Sequence, residues 1–175
     1  FATIISFDNK IDVVVDKIPV NEVNSDNLRP DQFTPKGQTS LFDAIMLCFE
    51  KIEKSSKNDS ENNDNINDEK EIIKLEDSFI TIITDGQDNS SKASRKDVRE
   101  RANEMWSKGV QGKFLGAKGY AMRQGEKILG LSSDHILEYE VTEDAVASLS
   151  QTLTSSMAHY YTTGTSPAFS PLQRS

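Results

Sequence analysis

The sharpest pattern in the chain is the run Phe79-Ile80-Thr81-Ile82-Ile83-Thr84, apolar and β-branched, which stops at Asp85-Gly86. Such a run predicts a strand buried on both faces of a parallel sheet. Upstream, Ala2 to Phe7 and Ile11 to Val20 are two further β-branched runs separated by the turn cluster Asp8-Asn9-Lys10, which predicts a hairpin. Asn21 to Lys36 reads as a loop punctuated by Pro30 and Pro35. Leu41, Ile45, Cys48, Phe49 and Ile52 then recur at helical spacing, behind Thr39 or Ser40 as cap, with Asp43 completing a box-like start. This helix is expected to fade near Lys54. A second helix is predicted from the Ser94 cap to about Lys108, with Val98, Ala102 and Met105 inward and Gly109 as its stop. Val110 to Ala117 reads as a strand, Tyr120 to Leu129 as a helix weakened by Gly125, and Ile136 to Val141 as a short strand. Thr142 caps a last helix with the stripe Val146, Leu149, Leu153, Met157 and Tyr160. After the hairpin, helix and strand alternate. That order predicts a Rossmann-like three-layer α/β/α fold: a mostly parallel sheet, right-handed crossovers, and the hairpin as its antiparallel edge.

Composition divides the chain. Residues 55–77 are rich in Asn, Asp, Glu, Lys and Ser and hold no aromatic residue. They cannot bury enough apolar area to offset their ordering entropy, so an acidic, disordered insertion is expected there. Residues 162–175 are Ser/Thr/Pro-rich and read as a flexible tail. The domain proper is then 1–161. The formal charge of −8 argues against a nucleic-acid partner, since phosphate binding wants a basic stripe. No apolar stretch approaches the ~20 residues of a membrane helix. The single Cys48 excludes an intrachain disulfide and fits a reducing, cytoplasmic setting. It reads as a small core hydrophobe rather than a catalytic thiol.

Candidate chemistry lies in two oxygen-rich turns. One is Gly37-Gln38-Thr39-Ser40 at a helix start; the other is Asp85-Gly86 at a strand end. Ligands of open α/β sheets bind beyond the carboxyl ends of the strands. Hydroxyl, carboxylate and water together are a ligand set for Mg²⁺ or Mn²⁺. Zinc is disfavoured, because Cys48 is alone and His135 and His159 have no partner at ligand spacing. Asp88 and Asn89 read as turn formers with a possible supporting role, and Phe49, Trp106 and Phe114 as core.

From Ala2 to Tyr161 the chain resembles a von Willebrand factor type A, or integrin I-like, domain. The resemblance rests on Ile5-Ser6-Phe7-Asp8, Gly37-Gln38-Thr39-Ser40-Leu41-Phe42-Asp43-Ala44, Phe79 through Asn89, and Phe114-Leu115-Gly116-Ala117. It implies a non-catalytic binding domain whose divalent metal, in a metal-ion-dependent adhesion site, takes a carboxylate from a partner protein. Thr39 and Asp85 fall at two of the family's ligand positions; Ser40, Asp43 and Asp88 neighbour them. The family's Asp-x-Ser-x-Ser motif is missing. Its first strand and helix would precede Phe1, so the resemblance implies a truncated chain with weak metal affinity, unless the flanking strands close the gap. Two other classes compete. Asp85 could serve a phosphoryl-transfer or receiver-like enzyme, although no positioned lysine or second acid is evident. A scaffold with a dead metal site is the third.

Overall fold

A computed structural model of the chain describes residues 1–24, 26, 37–61, 74–140 and 142–170. Its elements follow the predicted order. A hairpin of β1 (Ala2–Phe7) and β2 (Ile11–Ile18) leads to α1 (Leu41–Glu61), β3 (Phe79–Thr84), α2 (Arg95–Ser107) and β4 (Gln111–Ala117). Next come the single turn α3 (Ala121–Gln124), β5 (Ile136–Tyr139) and α4 (Glu143–Thr163). Strands β3, β4 and β5 form a parallel sheet in that order.

The strand pleat decides the two faces of this sheet. Ile80, Ile82, Phe114 and Ile136 point to one side, where Leu41, Phe42, Ile45 and Phe49 of α1 and Val98, Ala102 and Met105 of α2 close the main core. Leu115 and Leu137 point to the other side and pack with Leu149 of α4. The class is therefore α/β, with helices on both faces.

The single predicted sheet is not what forms. The hairpin is a separate two-stranded sheet, and among the described residues no ladder joins it to β3. The strands beside the expected gap do not close it. Alternation along a strand fixes which face is buried but not which neighbour the strand takes, so the sequence pattern could not decide this. The hairpin is tied to the rest through α1. Phe7 packs on the main core, the Ser40 N–H donates to the Asp8 carbonyl (2.7 Å), and Lys51 pairs with Asp16.

Several boundaries also move. Helix α1 runs past Lys54 to Glu61. Of the expected acidic insertion, residues 62–73 lie outside the described residues, and Leu75–Asp77 form a 3₁₀ turn that enters β3. Most of the predicted loop between Asn21 and Lys36 also lies outside them. The predicted Tyr120–Leu129 helix becomes α3 followed by a π-helical turn, Gly125–Leu129, ended by Gly130 at φ +72°. Gly125 is there for contact: a Cβ would meet Ile136 Cδ1 at 2.5 Å. On α4 the buried side is Leu149, Ser156 and Tyr160, with Leu153 half-buried, while Met157 is exposed; Val146 lies outside the described side chains. The chain after α4 is no loose tail as far as Ser170. Phe169 is buried against Leu115, Leu137 and Leu149.

Candidate functional site

Helix α1 begins at the same end of the molecule as the carboxyl end of β3, and hydrogen bonds stitch the two turns together. The Thr39 N–H donates to Asn89 Oδ1 (2.7 Å), and the Asn89 N–H donates back to the Thr39 carbonyl (3.0 Å). Ser40 Oγ and Ser90 Oγ are 2.8 Å apart. The Phe42 N–H donates to Asp88 Oδ1 (3.2 Å), and the Asp43 N–H to Ser91 Oγ (3.1 Å).

These last two bonds revise the expected cap. The free N–H groups at a helix start need acceptors. Here Asp88 and Ser91 supply them from the loop after β3, not Ser40 with Asp43. Ser91 also donates its hydroxyl proton to Asp88, which orients both acceptors. The negative carboxylate at the positive end of α1 is electrostatically favourable. Asp43 serves the opposite loop: its carboxylate accepts from the N–H groups of Lys92 (2.9 Å) and Ala93 (2.8 Å). Two residues later α2 starts with its own capping box, in which Ser94 Oγ accepts from the Asp97 N–H and Asp97 accepts from the Ser94 N–H.

Within this brace the Asp85-Gly86 turn is held on three sides. The Thr84 hydroxyl donates to the Gly86 carbonyl (3.2 Å) and accepts from the Gly86 N–H (3.3 Å). Gln124 Nε2 of α3 donates to the same carbonyl (3.3 Å). Thr39 Oγ1 lies so close that a Cβ on Gly86 would meet it at 3.2 Å. The glycine thus lets the threonine hydroxyl stand beside the turn that carries Asp85. Asp85 itself is exposed, and its charge reaches Tyr139 at the end of β5. Burial, and then that charge, raise the Tyr139 phenol above its ordinary range.

The five predicted residues therefore separate into two groups. Ser40 Oγ, both carboxylate oxygens of Asp43 and Asp88 Oδ1 serve the brace. Thr39 Oγ1 and the Asp85 carboxylate make no hydrogen bond among the described residues and stay available. Asn89 takes the supporting role that the sequence allowed it, whereas Ser90, Ser91 and Gln124 carried no such expectation, although the two serines follow Asn89 directly in the sequence. As a metal site the residues fit in part: one hydroxyl and one carboxylate are hard oxygen donors suited to Mg²⁺ or Mn²⁺. Among the described residues no cluster of three or more His, Cys, Asp and Glu could hold a metal ion.

Burial pushes the Cys48 thiol up to about 11, which keeps it protonated. His135 is half-buried, with its Nδ1 enclosed and without a hydrogen-bond partner among the described residues. Among the described residues no helix is long and apolar enough to cross a membrane. No protein-family model, curated protein or solved structure matches the chain.

Proposed function

We propose that the chain is a von Willebrand factor A-like, non-catalytic binding domain that grips a partner protein at the carboxyl end of its parallel sheet. The observation that carries this reading is the pairing of Thr39 Oγ1 with the Asp85-Gly86 turn. They are the hydroxyl and the carboxylate left uncommitted, among the described residues, beside Ser40, Asp43 and Asp88 Oδ1, which serve the brace. Thr39 and Asp85 would hold Mg²⁺ or Mn²⁺, with water completing the shell. Bound there, the metal would offer an open position to a carboxylate of the partner. The chain's own contribution is rigidity, since the Thr39–Asn89 exchange and the Gln124–Gly86 bond fix the two donors before a ligand arrives. Affinity for the metal alone is weak, because two donors must do the work of a larger set.

The commitment of Ser40, Asp43 and Asp88 supports a second reading, a scaffold that keeps the brace but binds no metal. Titration of the chain with Mn²⁺, followed by water-proton relaxation, separates the two. The adhesion-site reading expects saturable binding that is lost in both Thr39→Ala and Asp85→Ala. No saturable signal from the unaltered chain would leave the scaffold. Covalent labelling of Asp85 by acetyl phosphate would instead make the domain an enzyme.

A further inference from the structure

The face of the sheet away from the metal-site brace contains a charge that no described residue neutralises. Lys113, in the middle of β4, is fully buried. Its Nζ donates to the Pro167 carbonyl (2.6 Å) and to Ser156 Oγ (3.1 Å) and stands 3.7 Å from the centre of the Phe169 ring. These partners are neutral, and among the described residues no carboxylate pairs with it. A buried ammonium without a counter-charge is costly even when hydrogen-bonded.

What buries Lys113 is the segment after α4. That segment leaves the helix at Gly164, φ +71°, a conformation open to glycine, which suits a hinge. Gln111 grips the segment twice, Nε2 donating to the Gly164 carbonyl (2.8 Å) and Oε1 accepting from the Ser166 N–H. The Phe169 N–H donates to the Asp134 carbonyl (2.8 Å), and the Phe169 ring fills the trough formed by Leu115, Leu137 and Leu149. The seam beneath is imperfectly satisfied. Thr81 Oγ1 (Thr81 being the ladder neighbour of Lys113), His135 Nδ1 and Ser166 Oγ are all buried without a hydrogen-bond partner.

We infer that residues 164–170 form a latch, hinged at Gly164, that opens and closes over β4 without unfolding the sheet, and that loss of the Lys113 proton favours the closed state. Opening bares the Lys113 ammonium and the apolar trough together. The other titratable groups described on this face are His135 and Asp134, in the turn before β5, Tyr139 of β5, which packs on the trough, and Tyr160 of α4, which stacks on Phe79. Burial holds both phenols above their ordinary range, beyond the window of Lys113. Burial, and then the Lys113 charge, hold His135 below its usual range, with Asp134 opposing. His135 therefore titrates on the acid side and leaves the alkaline window to Lys113.

Burial lowers Lys113 to about 8 from 10.5. With the latch open the group returns toward the higher value. Below about 8 the lysine is charged in both states, and closure is at its weakest. Between about 8 and 10.5 only the open state keeps the proton, so closure strengthens as pH rises. The closing equilibrium should gain on the order of tenfold from pH 7 to pH 9.

Ser166→Cys places a near-isosteric thiol under the latch, and the chain is made with Cys48→Ala. The thiol labelling rate, corrected for its thiolate fraction, reports the open population even when that population is small. The latch predicts that the corrected rate falls about tenfold between pH 7 and pH 9, and that adding Lys113→Met removes the fall. A constant corrected rate, or the same fall in the presence of Lys113→Met, would overturn it. Ring-current shifts of the Leu115 and Leu137 methyl groups, referenced to Phe169→Ala as the open state, provide the second readout and must move in the same direction.

Discussion

Thr39 and Asn89, fifty residues apart, exchange hydrogen bonds in both directions: the Thr39 N–H donates to the side-chain Oδ1 of Asn89, and the Asn89 N–H to the Thr39 carbonyl. That reciprocity makes the loop after β3 and the start of α1 one rigid piece. Asn89→Ala removes one acceptor and leaves the Thr39 N–H to water. The expected cost is about 1 kcal/mol, read as a shift of the urea midpoint at unchanged slope. Asn89→Asp keeps the acceptor and should recover most of it. Asp43→Ala should cost more, about 2 kcal/mol, because it strips acceptors from both the Lys92 and Ala93 N–H groups.

Gly86→Ala tests the site without removing a donor. The new Cβ would stand 3.2 Å from Thr39 Oγ1, so the hydroxyl must give way by a few tenths of an ångström. No left-handed backbone is involved, so stability should fall by less than about 1 kcal/mol. Metal or partner binding, where present, should fall about tenfold or more, since donors displaced by a fraction of an ångström no longer converge. The comparison is Mn²⁺ binding against the denaturation midpoint of the same variant.

How far the sequence announced all this depends on the range of each signal. The Ser94 cap, Gly109 as a stop and the Phe79–Thr84 strand are local, and they form as the pattern predicts. The start of α1 misleads, because Ser40 and Asp43 have the right spacing for a box while better acceptors arrive from Asp88 and Ser91, more than forty residues away. Thr39 and Asp85 stand out because hydroxyl and carboxylate end two elements. That Ser40, Asp43 and Asp88 would be consumed as bracing was not legible, since hydrogen-bond partners are chosen in three dimensions. Lys113 was hidden for another reason. Alternation through Lys113-Phe114-Leu115 puts the lysine on the face of Leu115, but a lysine in a strand is normally taken to reach water.

Gly125→Ala should expose the close contact between the π-helical turn and β5. A Cβ would sit 2.5 Å from Ile136 Cδ1 and 2.6 Å from Cγ1. Alanine favours helix over glycine by up to about 1 kcal/mol, so on propensity alone the substitution would stabilise. Overpacking in a full core costs about 1–3 kcal/mol and wins. Thermal denaturation should therefore show a lowered Tm. A second substitution, Ile136→Val, should be less harmful in the Gly125→Ala background than alone, a coupling that a double-mutant cycle measures.

Glu53 joins α1 to α2 through Arg101 (2.6 Å) and Lys108 (2.8 Å), with Glu104 bridging the same two cations. The hydrogen bonds from Arg101, then Lys108, hold the Glu53 carboxyl down at about 2, from 4.5. A carboxyl lowered on folding stabilises the fold fully above its unfolded value, and that contribution drains away as pH falls through about 2. Glu53→Gln should therefore cost about 1 kcal/mol at pH 7, a network value rather than that of an isolated pair. The gap to the unaltered chain should narrow below pH 4.5 and close near pH 2, as followed by urea denaturation across that range.

Lys113→Met carries the opposite sign to most core changes. Removing a fully buried side chain ordinarily destabilises, but here the group removed is an ammonium whose partners among the described residues are a hydroxyl, a carbonyl and an aromatic face. Methionine fills nearly the same volume and needs no proton acceptor. Exchange of buried charge for a well-packed apolar side chain is often neutral or stabilising. After the loss of two hydrogen bonds, a net gain of about 1–2 kcal/mol at pH 7 is expected. The pH dependence distinguishes this from simple better packing. In the folded chain Lys113 is lowered to about 8, and unfolding returns it toward 10.5, so the unfolded state binds more protons between those values. Stability of the unaltered chain must then rise with pH across that window, as the folded lysine sheds its charge first. The advantage of Lys113→Met should be largest below pH 8 and shrink toward pH 10.5. Parallel urea titrations of the two chains from pH 7 to pH 10 measure it; an advantage that stays constant over that range would mean that the charge of Lys113 is not what the substitution relieves.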